Sequence, residues 1–191
     1  MIYMEVQQIE EKLKTALKPS RYRHTLGVAY TASCMAMVFG VDVHKAYRAG
    51  LLHDCAKCLT NEKRIFLCKK HNIQMNEAEL KNPQLLHAKV GSFLAMEEFD
   101  IHDQDIINAI LNHTTGRPDM SLLEKIIYIA DYMEPGRKQA PNLSAIRKAA
   151  FEDLDKALLM ILEDTLSYLH STGSVVDTMT QKTYDFYSQY S

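Results

Sequence analysis

No stretch of this 191-residue chain approaches the roughly 18 to 20 uninterrupted apolar residues that a membrane span requires. The N-terminal run MIYMEVQQIEEKLKTALK is amphipathic and charge-rich, unlike a secretory leader, so the expected location is cytoplasmic. Charge of one sign is also lacking. Lys and Arg total 22 against 24 Asp and Glu, which leaves no global positive field for a nucleic-acid backbone; a polyanion would have to be bound locally. No period-two alternation marks a strand, and there is no internal repeat or low-complexity tract. Cysteines are few. Cys34, Cys55, Cys58 and Cys68 fall in helix-like segments, not at the loop positions of a disulfide-stapled module, and reduced thiols are expected. Cys55 and Cys58 form a C-x-x-C, placed by the pattern inside a helix. No second pair completes a zinc site, so redox and structural-zinc roles are set aside.

What the chain does have is a succession of segments, mostly ten or more residues long, with apolar side chains at three-and-four spacing. This pattern predicts helices over 4–17, 20–39, 43–57, 61–71, 83–98, 103–113, 120–132, 142–150, 153–172 and 178–188. All five prolines (Pro19, Pro83, Pro118, Pro135 and Pro141) fall at junctions, where they do not interrupt a helix. Ser20 and Asn82-Pro83 read as helix starts. With 47% hydrophobic residues the chain can bury one substantial core. The expected architecture is therefore all-α, a single domain over 1–191, with the helices of 153–191 packed on the motif-bearing part. Gly27, Gly50 and Gly91 break the helical rule, and each shares a face with a histidine. They predict a close approach of helices around a shared centre.

The strongest chemical signal is AGLLHDCAK (49–57), where His53 and Asp54 stand adjacent in an apolar stretch. A carboxylate buried there needs a metal, a cation or several donors. Asp131 ends the apolar run KIIYIAD and is expected to point inward with Ile127 and Tyr128. His24 in RYRHTLGVAY, His87 in PQLLHAKVG and His113 in AILNHTTG bring the candidate ligands to six, on apolar faces of five helices. One such histidine would read as a core residue bonded to a backbone carbonyl; six together point to a metal centre. Nitrogen and carboxylate donors without thiolate suit iron(II), manganese or zinc, and spacing does not choose among them. His44, His71, His102 and His170 lie beside polar residues or near helix ends and read as solvated. Arg21 and Lys57 stand one turn from the ligands, Arg137 follows Asp131 in EPGRKQAP, and Arg117 after HTTG is a weaker candidate. With a metal, such cations would form a clamp on phosphate.

The order His24, His53-Asp54, Asp131 resembles the signature of the HD superfamily of metal-dependent phosphohydrolases. The longer motifs RYRHTLGVA, AGLLHDCAK, LLHAKVG, AILNHTTGRPDMSLLEKIIYIADYMEPGR and DLDKAL, spread over roughly residues 20–160, look like the YqeK family of symmetrical bis(5'-nucleosyl)-tetraphosphatases. The resemblance implies an HD-type helical bundle that cleaves diadenosine tetraphosphate to two ADP, by attack of a metal-activated water on an inner phosphorus. Iron is the implied metal, with manganese or another divalent ion as the alternative. Carried onto this chain, it implies His24, His53, Asp54 and Asp131 as metal ligands. It implies Arg21, Asp54, Lys57, His87, His113, Thr114, Asp131 and Arg137 as substrate-binding residues, with Asp54, Lys57, His87, His113 and Arg137 in the catalytic set. His87 and His113 could instead hold a second metal, and residues 1–18 and 165–191 stay unassigned by the motifs. Competing readings are an HD phosphohydrolase for another nucleotide, an HD-scaffold di-iron oxygenase, or a nucleotide sensor without turnover. A cyclic-dinucleotide phosphodiesterase is disfavoured because no GYP tripeptide follows the HD. Met-rich and Tyr-rich faces could pair subunits into a homodimer or fill the core.

Overall fold

The computed structural model describes residues 4–190, and among these every regular element is helical. The order is α1 (Val6–Ala16), α2 (Pro19–Phe39), α3 (Val43–Leu52), α4 (Asn61–Lys70), α5 (Glu77–Lys81), a 3-10 turn (Pro83–Leu86), α6 (His87–Phe99), α7 (Gln104–Asn112), α8 (Leu122–Met133), α9 (Leu143–Ala149), α10 (Leu154–Ser171) and α11 (Thr178–Tyr187). A final 3-10 turn covers Ser188–Tyr190. No helix among the described residues is long and apolar enough to cross a membrane.

Local chemistry explains most helix starts. Pro19 occupies the first turn of α2, so that helix begins one residue before the expected Ser20, and Gly40 ends it at φ +68°. Asp42, Thr60, Asp103, Asp153 and Asp177 each accept backbone N–H groups at the head of the helix that follows. Ser121 and Glu124 form a reciprocal capping box on α8, as Asn76 and Glu79 do on α5. Asn82 caps the turn at Pro83, as expected.

The core lies where α2 runs along α3 with α8 across both. Val28, Ala29, Ala32, Met35, Leu51, Leu52, Ile126, Ile127 and Ile129 fill it, and α7 closes one side through Ile110. The expectation of close approach holds at Gly50: a Cβ there would sit 2.6 Å from Ala29 Cα, so only glycine lets α3 touch the α2 backbone. At Gly27 the neighbour is a side chain, since a Cβ would sit 2.6 Å from Glu134 Oε2. Gly91 departs from the expectation, because its nearest contacts would be ordinary ones at 3.6 Å.

Two predicted spans also need correction, and one helix is new. The helix expected over 43–57 stops at Leu52, and residues 53–59 continue as tight turns with i to i+3 bonds: Cys55 N to Leu52 O at 3.1 Å, Lys57 N to Asp54 O at 2.9 Å and Leu59 N to Ala56 O at 3.2 Å. His53, Asp54 and the C-x-x-C therefore lie on a turn and not inside a helix. The span 83–98 divides into the 3-10 turn and α6, and α5 was not expected at all. From the C-terminal part, α10 packs on α8 and α11 on α10. Tyr187 Oη accepts Met120 N–H at 2.8 Å, and Thr183 Oγ1 donates to Thr115 O at 3.1 Å.

Candidate active site

Five segments converge on one centre: His24 from α2, His53 and Asp54 from the turn after α3, His87 from the head of α6, His113 and Thr114 from the end of α7, and Asp131 from α8. His53, Asp54, His87 and His113 are all buried, at 0%, 1%, 1% and 3% exposure. Three of the imidazoles are fixed in the same way. The Nδ1 atoms of His53, His87 and His113 donate to the carbonyls of Gly50, Gln84 and Ile110, three residues back in each case, at 2.7, 2.6 and 2.7 Å. This tautomer turns each Nε2 lone pair toward the shared centre. His24 is held differently, with Nδ1 3.1 Å from Glu134 Oε1.

His24, His53 and Asp131 offer ligand atoms within 4.8 Å of one another, and Asp54, His87 and His113 form a second such group. Asp54 connects the two. Its Oδ2 faces His53 Nε2 at 3.5 Å and His24 Nε2 at 3.9 Å, while Oδ1 faces His87 Nε2 at 3.3 Å and His113 Nε2 at 3.7 Å. Asp131 Oδ1 lies 2.9 Å from His24 Nε2 and 3.8 Å from His53 Nε2. Despite this crowding, His24 Nε2, His53 Nε2 and Asp54 Oδ1 are buried without any hydrogen bond, since the short contacts lack the geometry for one. Buried acceptors left unpaired are costly, and a divalent cation satisfies them all at once. The donor set therefore fits a metal of the kind the sequence implies.

The charges around the centre favour ionised carboxylates. Burial opposes ionisation of Asp54, yet His53, His113 and Lys57 outweigh it and hold the carboxyl well below its ordinary value. Burial likewise opposes charge on Asp131, but His24 and His53 keep it ionised. His53 is pulled up by Asp54 and Asp131 against its own burial. His87 behaves oppositely, because burial, His113 and Lys57 all depress it, so it is neutral.

Cations border the centre. Arg21 Nη1 lies 2.7 Å from Asp54 Oδ2, and Lys57 Nζ lies 3.0 Å from His87 Nε2 and 3.7 Å from Asp54 Oδ1. Arg137 reaches back to Asp131, with Nη2 3.1 Å from Oδ1 and Nε donating to the Asp131 carbonyl at 3.1 Å. Thr114 Oγ1 is 3.2 Å from Nε2 of both His87 and His113. Arg117, the weaker candidate, is not part of this set: it grips Glu124 with two bonds of 2.7 Å, a structural pair. His44, His71, His102 and His170 are exposed, as expected.

Hollows flank the centre on several sides. One, of about 190 Å³, is lined by Ser20, Arg21, His24 and Arg137. Another, of about 230 Å³, lies beyond Thr114 among Asn76, Asn112, Thr115 and Asp177. Sequence reasoning missed Asp177 because 165–191 lacks a motif. It also missed Glu134, 4% exposed, which accepts Gly136 N–H as well as holding His24. The available signal was an acidic residue directly after the buried run that ends in Met133.

An inward-facing H…HD…D set on a helical scaffold defines an HD-domain protein, and the HD domain family description matches residues 21–136. The chain belongs to that family and, within it, to the symmetrical bis(5'-nucleosyl)-tetraphosphatases. It is 39% identical over 174 residues to "Bis(5'-nucleosyl)-tetraphosphatase, symmetrical" of Bacillus subtilis, covering 91% of this chain and 92% of that one. The protein of the same name from Halalkalibacterium halodurans is 40% identical over 174 residues, covering 91% of each chain. A crystal structure from Clostridium acetobutylicum, described as a "predicted HD superfamily hydrolase involved in NAD metabolism", superimposes with a TM-score of 0.96 at 42% identity over 100% of both chains.

Proposed function

We propose that this protein hydrolyses diadenosine tetraphosphate at its central anhydride, consuming one water and releasing two ADP. The observation that supports this most is a centre of buried, unpaired imidazole and carboxylate acceptors bordered by Arg21, Lys57 and Arg137. Acceptors of that kind suit a metal, and the cations suit polyphosphate. The relatives' name supplies the substrate and the position of cleavage.

His24, His53, Asp54 and Asp131 would hold a divalent cation. Iron is the metal the resemblance implies, and it or manganese suits this nitrogen and oxygen set better than zinc if coordination exceeds four. His87 and His113, with their lone pairs turned inward, would join Asp54 Oδ1 around a second ion instead of donating to the leaving group. When bound, the metal supplies Lewis acidity that brings the pKa of an attacking water from about 15.7 toward about 7.

The chain's own residues do the rest. Arg21 orients Asp54, which is ionised and placed to take or steer the proton of the attacking water. Lys57, Arg137 and Arg21 would neutralise the non-bridging oxygens of the inner phosphates as ADP departs. The Thr114 hydroxyl, 3.2 Å from both imidazoles, would turn its proton to one of those oxygens. One nucleoside end would occupy the hollow beyond Thr114. Exposed Tyr30, Met37 and Val38 share a face of α2 and would form the contact of a homodimer in the cytoplasm. Product identity tests the reading: ADP alone supports it, whereas ATP plus AMP would mean cleavage elsewhere.

A further inference from the structure

A dinucleoside tetraphosphate cut at its middle has two nucleosides pointing away from the scissile bond, and the hollow beyond Thr114 accounts for one. Beside Arg137 a second groove runs between α8 and α10. From α8 it takes Tyr128, Asp131 and Tyr132, spaced as one helix face. From α10 it takes Ile161, Asp164, Thr165 and Tyr168, again one face at i, i+3, i+4 and i+7. The loop through Gln139, Ala140 and Pro141 forms a third wall.

The groove consists of two confluent hollows of about 130 and 250 Å³ that share Tyr132, Arg137 and Thr165. The inner one touches Lys57, His113, Thr114 and Asp131, so it opens directly from the centre. The outer one ends at Tyr168, whose residue is 64% exposed. An aromatic ring left in solvent beside a cavity continuous with an active site offers a stacking face. Asp164 holds Tyr132 Oη–H at 3.1 Å and Asn142 Nδ2–H at 2.8 Å, one on each carboxylate oxygen, and keeps lone pairs for a further donor.

We infer that this groove binds the second nucleoside of the substrate, with the base stacked on Tyr168, the ribose hydroxyls toward Asp164, and Arg137 at the phosphate that leads into it. The inference rests on the hydrolase reading above. It makes Tyr168 a specificity-determining residue drawn from the part of the chain that no motif reaches. It also makes the subsite tolerant of either purine, because every base presents a face for stacking.

The test compares wild-type protein, Tyr168→Ala and Tyr168→Phe by steady-state kinetics on diadenosine tetraphosphate with ADP as the product. Loss of a base stack corresponds to roughly a tenfold rise in KM for Tyr168→Ala, with kcat kept within about twofold and Tyr168→Phe close to wild type. An unchanged KM in Tyr168→Ala, a fall in kcat alone, or equal losses in Tyr168→Phe would each overturn the subsite while leaving the hydrolase intact. Wild-type protein that makes no ADP would instead overturn the hydrolase reading itself.

Discussion

The Nδ1–H of His53 donates to the carbonyl of Gly50 at 2.7 Å, so the residue that fixes this imidazole is also the one that lets α3 touch α2. Helix spacing and ligand orientation are thereby joined at a single peptide. Gly50→Leu should therefore damage the centre without altering any ligand. Its Cβ would meet backbone at Ala29, which cannot swing aside, and overpacking of this kind costs about 1–3 kcal/mol or more. Urea denaturation and metal analysis should both show loss. Unaltered stability, metal content and activity would refute the coupling.

Glu134 supports His24 from behind. Its two oxygens serve two donors, His24 Nδ1–H and Gly136 N–H, whereas a glutamine offers one acceptor atom. Glu134→Gln should weaken metal binding by about 10- to 100-fold, read by metal titration, because the partner that orients a ligand is lost. Wild-type affinity in this variant would show that His24 needs no such support.

Lys57 is assigned to phosphate. Lys57→Ala should keep its metal and lose roughly 100-fold in kcat/KM, as expected when one preorganised donor to developing charge is removed. Metal analysis alongside kinetics separates the roles. A variant stripped of metal would make Lys57 part of the ligand scaffold.

Glu124 predicts a pH dependence of stability away from the centre. It is 1% exposed; burial pushes its carboxyl up, but Arg117 and Ser121 outweigh burial and hold it below the ordinary value. A carboxyl depressed in the fold stabilises above its unfolded pKa, near 4.3 in model peptides, and that contribution is lost as pH falls through the folded value. Glu124→Gln should thus be less stable at neutral pH by about 1–3 kcal/mol and show a shallower loss of stability below about pH 4. Urea unfolding across that range gives the comparison; parallel curves for the two proteins would contradict it.

The helical class was legible because apolar periodicity is a local signal, and the convergence of His24, His53, Asp54, His87, His113 and Asp131 on one centre was legible because each polar side chain interrupts an apolar face. The end of α3 was not. The run Ala49–Leu59 continues the helical pattern with no proline or glycine after Gly50 to stop it. Arg64, 4% exposed, supports the turn: it donates at 2.7 Å to the carbonyl of Lys57 and, beside Leu59 N–H, at 3.4 Å to that of Ala56. That partner lies seven or eight residues downstream, beyond what periodicity can register. Glu134 escaped notice for a related reason, since its role depends on Gly27 leaving room for its carboxylate 107 positions away in the sequence. The groove residues Asp164, Thr165 and Tyr168 are ordinary amphipathic-helix residues until α10 is set against α8.

The most direct test incubates the purified protein with diadenosine tetraphosphate and iron(II) under reducing conditions and separates the products, with Asp54→Ala in parallel. ADP should be the sole nucleotide product, formed by wild type and absent from Asp54→Ala, which should also lose its metal because Asp54 faces all four imidazoles. A fully active Asp54→Ala protein, or ATP and AMP in place of ADP, would contradict symmetrical cleavage at this centre.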